Sequence, residues 1–116
     1  MGEVYISHLA EIGVNATQED IDDERVPNDH RLRVDHISVE NQTHAYTRLV
    51  IGIVVGHTFH ELIEEDSPAV DDIYWHDRPF YVPENCKVRV RMMGITASDV
   101  IQVYINGFLE KVERRV

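Results

Sequence analysis

The sequence predicts an all-β domain, an antiparallel β-sandwich or jelly roll of about seven or eight short strands. Three observations carry that expectation. Apolar and polar residues alternate over short stretches, most clearly in KVRVRMM, where Val88, Val90 and Met92 interleave with Lys87, Arg89 and Arg91; a period of two leaves one strand face dry. Turn-forming residues separate these stretches at intervals of about 8 to 12 residues. No stretch sustains the 3.6-residue apolar period of a long amphipathic helix.

The elements follow in order. Residues 3–12, EVYISHLAEI, place Val4 and Ile6 on one alternation and Tyr5 and Leu9 on the other, which suits a strand rich in β-branched and aromatic residues. Residues 13–31 are polar and acidic without an apolar period, so the expectation is an N-terminal arm or long loop, ordered by a partner or solvated. The division is therefore 1–31, an N-terminal strand with an acidic arm or loop, and 32–116, the sandwich, within one domain. In LRVDHISVEN, Leu32 and Val34 share one parity and Ile37 and Val39 the other, which predicts a bulge at Asp35-His36. After the turn Asn41–His44, residues 45–55 are apolar on both parities, with Leu49, Ile51 and Ile53 on one and Tyr46, Val50 and Val54 on the other. Such a strand is buried centrally or at an interface. Residues 58–66 favour a strand over a short helix, and Pro79 divides residues 70–82 into two short strands. The runs Lys87–Met93 and Val100–Ile105, separated by Gly94 and Thr96–Asp99, read as a β-hairpin.

Composition narrows the classes of function. Lys and Arg total 11 against 21 Asp and Glu, a net charge of −10, which opposes direct nucleic-acid binding because phosphate neutralisation needs a basic surface. Cys86 is the single cysteine, so no intramolecular disulfide forms. The N-terminal residues lack the basic start and apolar core of a secretory signal. The longest apolar run, Leu49–Val55, falls well short of the roughly 20 residues of a membrane-spanning helix. A soluble product of a reducing compartment, with no membrane partner, is expected.

Candidate chemistry is sparse. His57, His60 and Glu64 form the sharpest metal-type cluster, but on a strand His57 and His60 point to opposite faces. Surface histidines are the expectation, with no metal and no cofactor; the metal reading would describe a small cupin-like, metal-dependent enzyme. The acidic groups at 19–24 and 64–72 lack the spacing of a calcium loop. Ser38, Ser67 and Ser98 have no nucleophile-elbow setting, and Cys86 has no catalytic signature. No enzyme is expected. The aromatic residues Tyr74, Trp75 and Tyr81 offer an alternative reading, a carbohydrate-binding sandwich with a sugar-stacking platform. The cations Lys87, Arg89 and Arg91, on a chain of net charge −10, are expected to meet acidic groups of the chain itself or of a neighbouring subunit. With Tyr46, Val50 and Val54 they are the candidate interface.

Two stretches carry a resemblance. RVDHISVENQTHAYTRLVIGIVVG is a strand ending in Asn, a Thr-containing turn and an apolar strand. FYVPENCKVRVRMMGITASDVIQVYINGFLE joins a Val-Pro-Glu-Asn turn, an alternating strand, a Gly-x-Thr-x-x-Asp turn and a strand ending in Asn-Gly-Phe-Leu-Glu. Together they resemble small β-sandwich, jelly-roll-like virion proteins of tailed bacteriophages. The resemblance implies a non-enzymatic structural protein: a capsid decoration protein, head-tail connector or tail accessory protein. It would be made in the host cytoplasm and reside in the virion as a homo-oligomer packed against other virion proteins. A glycan is the further possible partner.

Overall fold

In the computed structural model, residues 2–12, 18–66, 73–96 and 98–112 are described. They contain no helix and nine strands: β1 (Gly2–Ile12), β2 (Gln18–Asp22), β3 (His30–Asn41), β4 (Arg48–Val55), β5 (Thr58–Asp66), β6 (Tyr74–His76), β7 (Phe80–Val82), β8 (Lys87–Met93) and β9 (Val100–Lys111). The first sheet has the order β1-β9-β3-β6, with β7 also pairing β3, and the second has the order β2-β8-β4-β5. Every pairing is antiparallel. The chain changes sheet after β1, β2, β3, β5, β7 and β8. That winding is the jelly-roll form of the antiparallel β-sandwich.

The alternation explains the core. Leu32, Val34, Ile37, Val39, Ile101, Val103 and Ile105 of the first sheet face Ile21, Leu49, Ile51, Val88, Val90 and Met92 of the second, all buried in one cluster. Fully burying such a side chain contributes roughly 1.5–3 kcal/mol. The parity change in β3 is resolved as anticipated: the β3–β9 register shifts between Val34 and His36. The extra residue, Asp35, lets Leu32 and Val34 share the core face with Ile37 and Val39.

Two expectations need correction. Lys87–Met93 and Val100–Ile105 are not a hairpin, because β8 belongs to the second sheet and β9 to the first. The link between them crosses the end of the sandwich. Alternation identifies a dry face but does not say whether two dry faces lie side by side or confront each other across the core. Residues 18–31 are also not simply an arm or loop, while residues 13–17 lie outside the described residues. Gln18–Asp22 pairs with β8, and Ile21 and Val26 are buried at 3% and 4% exposure. An acidic strand with one inward isoleucine carries too little apolar period to be read from sequence alone.

Candidate interaction surfaces

The outer face of the second sheet is closed by the chain's own charges. Across the β2–β8 register Asp20 lies opposite Arg91 and Asp22 opposite Arg89. Arg91 donates to Asp20 through Nε at 2.8 Å and Nη2 at 3.1 Å. Arg89 donates to Asp22 at 2.7 and 3.0 Å, and Lys87 Nζ reaches the same carboxylate at 2.7 Å. These forked pairs are the strong form of charge-assisted hydrogen bond. Burial alone would raise the Asp22 pKa, but the bonds from Arg89 and Lys87 outweigh it and hold the carboxyl below its ordinary value.

Beside this ladder the doubly apolar strand β4 finds its second cover. The guanidinium groups of Arg91 and Arg89 sit 4.8 and 5.6 Å from the centre of the Phe59 ring. The ring overlies Gly52, where an added Cβ would come within 2.8 Å of Phe59 and collide with the His60 carbonyl. Val50 and Val54 are thereby only 1% and 2% exposed, and Tyr46 lies in the core cluster. Of the candidate interface residues, Lys87, Arg89 and Arg91 find their acidic groups within the chain, and Tyr46, Val50 and Val54 are covered within it.

Two buried carboxylates staple the sandwich. Asp99, fully buried, accepts from Asn41 Nδ2 at 2.8 Å and from the Thr96 backbone N–H at 2.9 Å, and its other oxygen lies 2.6 Å from His44 Nδ1. Asn41 Oδ1 in turn accepts the N–H groups of Thr43 and His44, a local turn bond that Asn favours. Burial opposes ionisation of Asp99, yet the bonds from Asn41, Thr96 and His44 prevail and hold its pKa below the ordinary value. Asp23 accepts from Tyr5 Oη at 2.7 Å and Ser7 Oγ at 2.9 Å, tying β1 to the segment that follows β2. Burial and then the Asp23 carboxylate push the Tyr5 phenol up. The Asn at the end of β3 and the Asp of the Gly-x-Thr-x-x-Asp turn are thus partners in one joint.

The outer face of the first sheet is different in kind. One register row crosses four strands: His8 of β1, Tyr104 of β9, Ser38 of β3 and Trp75 of β6. Trp75 is 61% exposed. Beside this row, His8 Nε2 lies 2.9 Å from Gln102 Oε1. Gln102 Nε2 donates to Gln42 at 3.2 Å, and Gln42 Nε2 donates to Glu40 at 3.0 Å. A cleft of about 80 Å³ opens here, lined by His8, Ser38, Glu40, Ile73, Gln102 and Tyr104 among others. Towards the other end of the face, Val4 and Ile6 stand 70% and 63% exposed.

The remaining candidates separate. His57 lies in the exposed β4–β5 turn and His60 and Glu64 on exposed β5, and Glu64 pairs with Arg48 at 3.3 Å. Among the described residues no group of three or more His, Cys, Asp or Glu is placed to hold a metal ion. Tyr74 packs against the core, whereas Trp75 and Tyr81 are exposed, so these three do not form one platform. Arg31 instead covers Tyr81, 4.5 Å from its ring centre. Ser67, Asp71 and Asp72 lie outside the described residues. Sequence reasoning passed over His8, Gln102 and Tyr104, and over the pairing of Val4 with Ile6 as an exposed apolar couple. The signal for that couple was present, since Val4-Tyr5-Ile6 is apolar on both parities. Neither protein-family models nor curated proteins match the chain.

Proposed function

We propose that this chain is a non-enzymatic structural protein that acts by self-association through the edge of β1 that no described strand pairs, in the manner of a virion decoration or connector protein of a tailed bacteriophage. The observation that carries the reading is the contrast between β1 and the other sheet edges. Unpaired edges invite another strand, and proteins blunt them by shortness, charge or proline. Strand β2 is short, with 5 residues, and β6 and β7 have 3 each with Pro79 between them. Strand β5 carries Glu61, Glu64, Glu65 and Asp66. Strand β1 has 11 residues, and over its middle, residues 4–10, it bears no acidic or basic residue other than His8.

A second copy is the occupant that fits. Antiparallel pairing about a two-fold axis matches residues of equal parity, and residues opposite each other share a face. Centred on Tyr5, it sets Val4 opposite Ile6 and Glu3 opposite Ser7, so the exposed apolar pair is covered and no like charges confront. The virion setting rests on the resemblance of the two strand-turn stretches, and the jelly-roll winding is one that capsid proteins use among other classes.

Sedimentation velocity over a range of concentrations tests the reading. Wild-type protein is expected to run as a dimer or larger, and Ile6→Lys as a folded monomer, because Ile6 is exposed and contributes little to the core. A wild-type monomer throughout, or an Ile6→Lys protein that assembles unchanged, contradicts it.

A further inference from the structure

We infer that the outer face of the first sheet, at the row His8–Tyr104–Ser38–Trp75, is a binding site for a neutral oligosaccharide. The inference is independent of pairing through β1, since it rests on side chains of the face and not on the strand's backbone edge.

The aromatic groups are the first part. Trp75 is the single tryptophan and stands 61% exposed on the outer face. An exposed ring of this size offers apolar area that a ligand can cover. Tyr104 stands 36% exposed two strands away in the same row. Neighbouring strands lie about 4.8 Å apart, so the backbone positions that bear the two rings are roughly 10 Å apart, the span of about two linked sugar rings. An aromatic face stacks on the C–H face of a pyranose and buries apolar surface without requiring charge.

The polar groups are the second part. Ser38 lies between the rings, and the chain His8–Gln102–Gln42–Glu40 runs beside them. Amide, imidazole, hydroxyl and carboxylate groups provide donors and acceptors together, as a ligand made of hydroxyl groups demands. The cleft of about 80 Å³ has the volume of roughly two to three waters and takes one substituent of a ring, not a whole ligand. The rest of the ligand would lie along the face.

Charge selects the class. Glu40 lines the cleft, Asp77 sits beside the row and bonds His36 at 2.5 Å, and the chain carries −10. A phosphorylated, sulfated or uronic-acid ligand would be repelled. A neutral glycan avoids that cost and uses Glu40 as an acceptor.

The test uses Trp75 as its own reporter. Full-length protein is titrated with cellohexaose, maltohexaose, chitohexaose and galactooligosaccharides while tryptophan emission is followed. A saturable change with at least one of them is expected. By calorimetry, Trp75→Ala and Gln102→Ala should each weaken that binding about tenfold or more, equivalent to about 1.4 kcal/mol, with circular dichroism and melting temperature unchanged. Ile6→Lys should bind as wild type does, which separates this site from the β1 edge. The inference is overturned by the absence of saturable change with all four probes, or by binding that survives both substitutions. A Trp75→Ala protein that instead loses oligomer mass also overturns it, because the face would then be a protein contact.

Discussion

Asp99 shows most plainly how single residues hold this sandwich. A fully buried carboxylate is expensive unless donors surround it, and Asn41, the Thr96 N–H and His44 do so. Replacing Asp99 with Asn removes the charge that these donors address, and urea unfolding should show a loss of roughly 2–4 kcal/mol. The pH dependence has a definite sign. The Asp99 and Asp22 pKa values lie below the ordinary 3.8 in the folded chain, so their stabilisation is complete above that value and drains away as the pH falls through it toward the folded-state pKa values. Asp99→Asn should flatten that acid limb. Gly52 makes a steric prediction of the same kind. Any Cβ there meets the His60 carbonyl and the Phe59 ring, so Gly52→Ala should cost roughly 2–4 kcal/mol in the same assay.

Among elements, β8 finds within the chain the acidic groups that its cations were expected to meet. Arg89 and Arg91 meet Asp20 and Asp22 of β2, with side chains about a quarter exposed. Replacing both arginines with Ser should therefore lower stability by roughly 1 kcal/mol each and leave the oligomer mass unchanged. A lower mass at wild-type stability would place the interface on this face after all. Much of each element was legible, since β3, β4, β8 and β9 announced their core residues by parity, and the bulge after Val34 followed from the switch in that parity. Partnership was not legible. Asn41 and Asp99 are 58 positions apart in sequence, and nothing local to either says that they share a joint. The same blindness turned β8 and β9 into a hairpin and hid β2, whose single inward Ile21 sits among acids that only β8 explains.

For the whole molecule, the winding sets the folding. Nearly every pairing joins strands remote in sequence, β1 with β9 above all, so refolding should fall in the millisecond-to-second range of high-contact-order β proteins. Cys86 is buried and free, and its thiol should resist labelling in native buffer and react as the protein unfolds globally in urea. The sandwich class was readable because period-two patterning decides it. Function was not, because no residue cluster fixes a chemistry and the jelly-roll winding serves several. What the structure adds is a contrast: the outer face of β2 and β8 is satisfied by ion pairs, whereas the first sheet bears, besides its own pairs Arg31–Glu110 and Arg33–Asp35, the exposed Trp75, Val4 and Ile6. Amide hydrogen exchange of β1 at low and high protein concentration examines its edge most directly. Pairing through β1 predicts that its outward amides become protected as concentration rises and lose that protection in Ile6→Lys. Exchange in β1 that ignores concentration, with new protection at β5 or on the Arg89–Arg91 face, would contradict it.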